Sequence, residues 1–225
     1  MDTHRSWTRA REDVLLFCHR MQSERLVYYT AGNISARIED EPGLIAVSPA
    51  NTAYDTMTVD DIAIVTVGGD VVDGHLRPTS ELPLHTLVYA RRPEVGGIVH
   101  THSPAAMAMA AMGRTLPPIL TGLVSAAGGS IVTAPYARAG TAEIADFTAG
   151  ALLDRSACFL RHHGLLAIGS TVEQAYNAAS VVEGAADAYL RALPLGPVPE
   201  LPDAEIEFMR AKWKTRWPAL VMGSR

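Results

Sequence analysis

Two histidines, His100 and His102, stand two residues apart in the segment 98–102, which is predicted to form a β-strand. Side chains two positions apart in a strand point to the same face, so both imidazoles could bind one divalent metal ion. Taken alone, the pair fits equally well two hydrogen-bonded histidines at the end of a strand. A metal site therefore needs further ligands from elsewhere in the chain.

The segment His162-His163-Gly164 follows another apolar run and could supply a third ligand from a neighbouring strand. Adjacent residues of a strand face opposite ways, so at most one of these two histidines is expected to reach the same metal. Three histidines that leave the fourth position open are typical of catalytic rather than structural zinc sites.

Residues 78–81, Pro-Thr-Ser-Glu, open a stretch whose apolar spacing predicts a helix over 80–91. Hydroxyl groups and free backbone N–H groups at such a helix start form a favourable site for an anion. Glu81 fits two roles, a catalytic carboxylate or simply an acidic residue that stabilises the helix N-terminus. His85, one turn later on the same side, is expected to be an ordinary, partly buried histidine rather than a ligand.

Periodic apolar residues predict the elements that position these groups. Helices are predicted near the N-terminus, with Ser6 as the cap, and over 80–91, 104–112, 141–153, 171–192 (with Thr171 as the cap) and 203–213. Strands are predicted over 44–47, 62–67, 71–72, 98–102, 131–132, 158–160 and 165–168. The irregular alternation and a hairpin at Gly68-Gly69 indicate an α/β fold, a mixed sheet with helices on both faces.

The composition excludes several classes of function. Among 225 residues, 24 are acidic and 19 are basic, and the net charge of −5 provides no cationic surface for nucleic acid. No apolar run reaches membrane-spanning length, and the N-terminus does not resemble a signal peptide. The two cysteines, Cys18 and Cys158, lie in apolar segments, which predicts buried free thiols in a reducing cytoplasm. Lys212 and Lys214 are the only lysines, which argues against Schiff-base chemistry in the core.

The candidate residues form part of a longer pattern that resembles the class II aldolase/adducin family. Five blocks carry the resemblance in family order: Thr30-Ala-Gly-Asn33-Ile-Ser35, Val47-Ser-Pro49 with Tyr54-Asp55, Pro78-Thr-Ser-Glu81, Val99-His-Thr-His102 and His162-His163-Gly164-Leu165. It is extended by Ala126-Ala-Gly-Gly129 and by Ala134-Pro-Tyr136 followed by Gly140-Thr-Ala-Glu143. The resemblance covers about residues 10–192.

The resemblance implies a role for each candidate residue. In that family a zinc ion is held by the His-x-His pair and by the histidine directly before the glycine, here His100, His102 and His163; Mn²⁺ or Co²⁺ are alternative metals. The glutamate of the Ser-Glu block is the catalytic acid/base, here Glu81. The substrate phosphate is then expected on a set of polar residues: Thr30, Asn33, Asn51, Thr79 and Ser80.

The implied reaction is zinc-dependent aldol cleavage or formation of a ketose 1-phosphate, such as L-fuculose 1-phosphate. The products are dihydroxyacetone phosphate and an aldehyde, and the metal stabilises the intermediate enediolate. Family members that are phosphosugar 4-epimerases, dehydratases or decarboxylases share the metal and phosphate residues, so these reactions are alternatives. A non-catalytic, adducin-like module would be expected to lack the ligands, and all of them are present here.

The resemblance also implies a three-layer α/β/α fold with a mostly antiparallel central sheet, and a cyclic homotetramer with active sites at subunit interfaces. Residues 1–225 are expected to form one domain, with a proline-rich link and a C-terminal helix and tail over 193–225. The Met107–Met112 stripe fits either an interface or core packing. Two positions depart from the family pattern. Ala50-Asn51 lacks a hydroxyl residue and a glycine, and Gly122 stands where fuculose-type enzymes have a proton-donating tyrosine.

Overall fold

The computed structural model describes residues 3–216 and is built on one eight-stranded sheet. The strands are β1 (Asn33–Arg37), β2 (Leu44–Val47), β3 (Ala63–Thr66), β4 (Val71–Asp73), β5 (Gly97–Thr101), β6 (Thr133–Ala134), β7 (Ala157–Leu160) and β8 (Gly164–Gly169). Their order across the sheet is β4-β3-β2-β1-β5-β8-β7-β6. All neighbouring strands are antiparallel except β6 and β7, which are parallel. The sheet is therefore mixed and mostly antiparallel, as predicted.

Seven helices accompany the sheet within residues 3–216. They are α1 (Thr3–Ser23), α2 (Leu82–Arg91), α3 (Pro104–Met112), α4 (Thr121–Ala127), α5 (Ala142–Ala151), α6 (Val172–Ala192) and α7 (Asp203–Arg216). Residues of α1, α3, α4 and α6 share one apolar core with the sheet, and residues of α2 and α5 share the other. This arrangement is the expected three-layer α/β/α fold.

The alternation of side chains along each strand divides the core into two. In β8, Leu165 and Ala167 face the helices α1, α3, α4 and α6, whereas Leu166 and Ile168 face α2 and α5. Both faces of the strand are therefore buried, which explains why it reads as a continuous apolar run. In β5, Ile98 lies on the α2 side, so His100, two residues later, lies on that side as well.

Most predicted elements are present, with differences at several boundaries and one additional helix. The ranges predicted for β2 and α3 agree with the structure, and β3 and β4 form the predicted hairpin. The helix predicted from Ser80 begins at Leu82, α1 begins before Ser6, and the strand predicted at 131–132 lies at Thr133–Ala134. Helix α4 was not predicted, because it has seven residues, includes Gly122 and has no side-chain cap. It is stabilised by packing on α6 and α7.

Two further expectations concern compartment and membrane. Cys18 and Cys158 are both buried free thiols, as predicted. None of the helices within residues 3–216 combines the length and apolar character that a membrane span requires. Residues 217–225, the end of the predicted C-terminal tail, lie outside the described residues.

The start of α6 provides a test of the packing against the sheet. Thr171 accepts a hydrogen bond from the backbone N–H of Gln174 through its hydroxyl, as predicted for a helix cap. We expect Thr171→Ala to lower the free energy of unfolding by about 1 kcal/mol, because one N–H group of the first turn loses its partner. Denaturant unfolding would show a lower midpoint with an unchanged slope. Thr171→Ser keeps the acceptor and serves as the control; an equal loss in this variant would contradict the capping role.

Candidate active site and metal centre

Four side chains converge at one end of the sheet, on the side covered by α2. Glu81, His100, His102 and His163 each direct one ligand atom into a cluster in which these atoms all lie within 4.8 Å of one another. The three imidazole rings meet edge to face, with centroids 4.7–4.9 Å apart. The four candidate residues from distant parts of the sequence are thus brought together.

The four residues of the cluster come from different local structures. His100 lies within β5, and His102 lies one residue beyond that strand, where its backbone N–H donates to the carbonyl of Leu26 at 3.1 Å. His163 belongs to the turn between β7 and β8, and Glu81 immediately precedes α2. Only His100 belongs to the strand, so the argument from the alternation of side chains along a strand applies to His100 and not to His102. His102 reaches the cluster although the strand ends before it.

The two histidines of the β7–β8 turn point in different directions. His162 has a positive φ of 56°, a left-handed conformation that is uncommon for residues other than glycine. Its ring contacts the side chain of Arg161 and lies 6.0 Å from the ring of Tyr136, whereas the ring of His163 joins the cluster. One histidine of the pair therefore reaches the candidate metal centre.

Two glycines allow this close packing. A Cβ atom on Gly164 would lie 2.3 Å from the carbonyl oxygen of Thr101 and 3.3 Å from the rings of His100 and His102. Gly32 has a φ of +75°, and a Cβ there would lie 2.7 Å from the carbonyl oxygen of His100. Any side chain at either position would displace the strand that carries the ligands.

The atoms of the cluster repel one another unless a proton or a cation lies between them. The Nδ1 atom of His100 donates to the carbonyl of Leu165 at 2.9 Å, so in a neutral imidazole the Nε2 atom carries a lone pair. That Nε2 atom lies 2.9 Å from Nε2 of His102 and 3.1 Å from Oε2 of Glu81. A carboxylate oxygen also offers only lone pairs, so the site concentrates electron-pair donors.

The pKa values in the cluster depend on burial and on the charge of a protonated His100. Burial alone would raise the pKa of Glu81, but the charge and hydrogen bond of His100, with help from His163 and Asn33, hold this pKa well below its usual range. Burial lowers the pKa of His102 to about 3 and that of His163 to about 4, and the charge of His100 adds to both effects. At neutral pH these two imidazoles are therefore neutral, which is the form that binds metals.

A divalent cation fits this set of donors. Oε1 of Glu81 is buried and has no hydrogen-bond partner within residues 3–216, and it lies 3.4 Å from Nε2 of His163. Three imidazole nitrogens and one carboxylate oxygen are suitable ligands for zinc and neighbouring transition metals. A cation would neutralise the lone-pair repulsion and give the buried carboxylate oxygen a partner.

Three polar segments adjoin the metal-ligand cluster. The backbone N–H of Thr79 donates to the carbonyl of Ser48 at 3.0 Å, and the hydroxyl of Ser48 accepts from the N–H of Ile34 at 3.1 Å. These bonds join residues 30–33, 48–51 and 77–81 into one surface. Within it, Asn33 and Thr79 are buried, whereas Thr30, Asn51 and Ser80 are exposed. The five candidate phosphate-binding residues therefore lie on segments that meet beside Glu81.

Two further residues near the site have contacts that the sequence did not indicate, and one of them, His85, was predicted to be a partly buried histidine and not a ligand. Tyr54 is buried, and its hydroxyl bonds to the carbonyls of Ala31 and Gly32, at 3.1 and 2.8 Å, which braces the turn before β1. His85 is fully buried rather than partly buried, and it contacts Asn33 and Ser35. In the sequence, the four-residue spacing from Glu81 to His85 indicates only that the two side chains lie on the same side of a helix. It does not show which residues of other segments pack against them.

Comparisons with known proteins agree with this geometry. A family described as "Class II Aldolase and Adducin N-terminal domain" matches residues 12–190. The chain is 34% identical over 204 residues to a 5-deoxy-D-ribulose 1-phosphate aldolase of Bacillus thuringiensis serovar kurstaki, covering 91% of this chain and 95% of that protein. It is 37% identical over 199 residues to the L-fuculose phosphate aldolase of Escherichia coli K12, covering 88% and 91%. A solved structure of an L-fuculose 1-phosphate aldolase superposes with a TM-score of 0.86 at 30% identity, covering 91% of this chain and 96% of that chain.

The cluster predicts one tightly bound divalent cation per chain, which elemental analysis of the purified protein measures. Loss of a group that only hydrogen-bonds to a metal ligand weakens metal binding by roughly 10–100-fold. We expect His100→Ala or His163→Ala to weaken metal binding by more than this, because each variant removes a proposed ligand. His162→Ala is the matched control, because its ring lies outside the cluster. Full occupancy in either of the first two variants, or loss of metal in the control, would refute the ligand assignment.

Proposed function

The chain belongs to the class II aldolase and adducin family, and we propose that it cleaves a ketose 1-phosphate to dihydroxyacetone phosphate and an aldehyde. The enzyme class is a sugar-phosphate aldolase, a carbon–carbon lyase. The observation that carries the proposal is the cluster of three imidazoles and one carboxylate beside a polar surface. We propose zinc as the metal, held by His100, His102 and His163, because imidazole is its common ligand in open catalytic sites.

A cation held by His100, His102 and His163 would supply Lewis-acid chemistry, which would polarise the substrate carbonyl and stabilise the negative charge that develops when the C3–C4 bond breaks. The absence of lysine from residues 1–211 agrees with this choice, because an aldolase that uses a Schiff base needs a buried amine. Proton transfer and phosphate binding are proposed to be carried out by the side chains of the protein.

Glu81 is the proposed acid/base. Its carboxylate is buried, accepts from Nδ2 of Asn33 at 2.8 Å and lies beside the metal ligands, so it can exchange a proton with C3 of the dihydroxyacetone phosphate half. The low pKa of the carboxylate keeps it ionised at neutral pH. When substrate is absent, the carboxylate of Glu81 would also be available to hold the cation.

The phosphate is proposed to lie against Thr30, Asn33, Asn51, Thr79 and Ser80. An asparagine amide carries two hydrogens, so Asn33 can donate to Glu81 and to a phosphate oxygen at once. The exposed hydroxyls of Thr30 and Ser80 supply further donors, and α2 begins directly after this surface at Leu82. The positive end of the helix dipole thus favours a dianion here.

The aldehyde partner is proposed to be short and poor in hydroxyl groups. Gly122 lies in α4 at an exposed position, and a Cβ placed on it would meet nothing within 4 Å. The position where fuculose-type enzymes have a proton-donating tyrosine is therefore open. Cleavage of a 5-deoxypentulose 1-phosphate releases acetaldehyde, which has no hydroxyl groups to be recognised, and the 5-deoxy-D-ribulose 1-phosphate aldolase that this chain resembles is named for such a substrate.

We further propose a homotetramer with active sites at subunit interfaces, located in the cytoplasm. Tyr29, next to the proposed phosphate residues, is 91% exposed, and Tyr136, near His162, is 63% exposed. Large exposed aromatic side chains beside a site are typical of interface residues. Of the methionine stripe, Met109 is fully buried and belongs to the core, whereas Met112 is exposed. The buried free thiols fit a reducing compartment.

Replacing the proposed acid/base tests the mechanism. Glu81→Gln keeps the shape and an acceptor for Asn33 but cannot take up a proton. We expect kcat to fall by roughly two orders of magnitude or more, with bound metal and melting temperature near the wild-type values. Release of dihydroxyacetone phosphate, coupled to glycerol-phosphate dehydrogenase and NADH oxidation, measures the rate. Near-native turnover would assign proton transfer to another residue.

A substrate panel tests the reaction class. We expect 5-deoxy-D-ribulose 1-phosphate and L-fuculose 1-phosphate to release dihydroxyacetone phosphate, the former with the higher kcat/KM. The panel also contains L-ribulose 5-phosphate, a methylthioribulose phosphate and a phosphorylated 3-oxo acid. Epimerisation, dehydration or decarboxylation of one of these, without release of dihydroxyacetone phosphate from any, would replace the aldolase proposal with that reaction.

The open position at Gly122 provides a matched pair of variants. We expect Gly122→Tyr to raise turnover of L-fuculose 1-phosphate relative to Gly122→Phe, because only the tyrosine hydroxyl can exchange a proton with the C4 oxygen, which loses its proton in cleavage and regains it in condensation. Equal rates in the two variants would show that this position does not serve proton transfer here.

A further inference from the structure

A buried row of polar side chains connects Glu81 to the interior of the protein. Asn33 Nδ2 donates to Glu81 Oε2 at 2.8 Å, and Asn33 Oδ1 lies 2.6 Å from Nε2 of His85. Nδ1 of His85 lies 2.6 Å from the hydroxyl of Ser35, which lies 3.0 Å from the hydroxyl of Tyr89. All five side chains are buried, and His85 and Ser35 are fully so.

The row forms because the spacing of its side chains along α2 nearly equals the spacing of its side chains along β1. Glu81, His85 and Tyr89 recur every four residues at and along α2, a rise of about 6.0 Å per step. Asn33 and Ser35 recur every two residues along β1, a rise of about 6.6 Å. The two sets therefore alternate without a gap along the helix–strand interface. Beyond Tyr89, Arg37 lies over its ring at 4.7 Å and donates to its carbonyl at 3.0 Å.

The ionised carboxylate at the Glu81 end of the row determines the donor and the acceptor of every hydrogen bond in it. The ionised carboxylate of Glu81 only accepts, so the Asn33 amide must present its NH₂ group to it and its oxygen to His85. His85 must then donate from Nε2, which leaves Nδ1 to accept from the Ser35 hydroxyl. Ser35 in turn accepts from the hydroxyl of Tyr89. Every hydrogen bond therefore runs from Tyr89 towards Glu81.

Burial keeps His85 in the neutral form that this direction requires. It lowers the pKa of His85 to about 3, so the imidazole carries one hydrogen at neutral pH. A doubly protonated ring would be unable to accept from Ser35. His85 is also separate from the metal-ligand cluster, which contains Glu81 and three other histidines. No group of the proposed reaction requires His85 as a ligand or as an acid.

We propose that His85 is a positioning residue, which holds the Asn33 amide in one orientation and thereby fixes the Glu81 carboxylate beside the metal ligands. A reversed amide would present its oxygen to the carboxylate and would repel it. Asn33 is proposed to bind the phosphate with its second hydrogen, so the same row aligns the phosphate and the acid/base. This role rests on the proposed function, since it assigns Glu81 the proton transfer.

Three variants test the role of the row in turnover. His85→Phe fills the ring site but can neither donate nor accept, and we expect kcat to fall by about 10–100-fold, because small misplacements of a reacting group cost that much. His85→Gln, whose amide can still donate to Asn33, is expected to restore part of the rate. Tyr89→Phe removes only the far end and is expected to lower kcat less than His85→Phe does.

A control separates positioning from general loss of stability. Ser156 is fully buried and accepts from the indole of Trp213 at 3.0 Å, remote from α2 in sequence. We expect Ser156→Ala to lower the melting temperature without lowering kcat. If His85→Phe folded with wild-type kcat, or if kcat followed melting temperature alone across all four variants, the positioning role would be wrong.

A measurement without substrate distinguishes this proposal from the proposed reaction. The chain has three asparagines, Asn33, Asn51 and Asn177, so selective ¹⁵N labelling of asparagine reports each side-chain amide by NMR. We expect one amide with slow hydrogen exchange in the wild type, slow in His85→Gln and fast in His85→Phe. Protection that is unchanged in His85→Phe overturns the positioning role. If protection behaves as expected while no panel substrate reacts, the proposed reaction is wrong and the orientation of Asn33 by His85 is retained.

Discussion

The register between β1 and β5 is the constraint on which the rest of the site depends. It places Asn33 directly opposite His100 in the antiparallel pair, so that the hydrogen-bond partner of the Glu81 carboxylate and a histidine of the candidate metal centre share one face of the sheet. A shift of β1 by one residue would turn Asn33 towards α1 and α6, because side chains alternate along a strand. Ile34, which now fills the core on that side, would then face α2. Burial of this apolar residue thus determines where the polar one lies.

Helix α2 depends on the same register. Its four-residue repeat matches the two-residue repeat of β1, so Glu81 and His85 pack around Asn33 and Ser35 rather than against apolar side chains. Because each of these polar groups has a partner, their burial is tolerated. The exception is Oε1 of Glu81, which has no hydrogen-bond partner within residues 3–216 and faces the histidines. The network is therefore complete up to the place where a cation would bind, which is how an organised metal site is expected to look.

The apolar pattern of the sequence was sufficient for most of the fold. Both faces of β8 are covered, so its continuous apolar run identifies it as a central strand. Thr171 predicts the start of α6 because a threonine hydroxyl at that position can accept from the first turn. Helix α4 could not be predicted in this way. Its stability comes from α6 and α7, which are distant in the sequence, and its own residues include Gly122, a poor helix former.

The sequence by itself determined which residue types are available for chemistry: three histidines and a glutamate in family order, hydroxyl residues before the glutamate, and no lysine in the core. Only the tertiary structure decided how they meet. It turned His163 inwards and His162 outwards through a positive φ, it brought His102 into the cluster from beyond the strand end, and it buried His85 against β1. Local patterns are set by backbone geometry over a few residues, whereas these outcomes depend on contacts between segments 50 or more residues apart, as between His85 and Asn33.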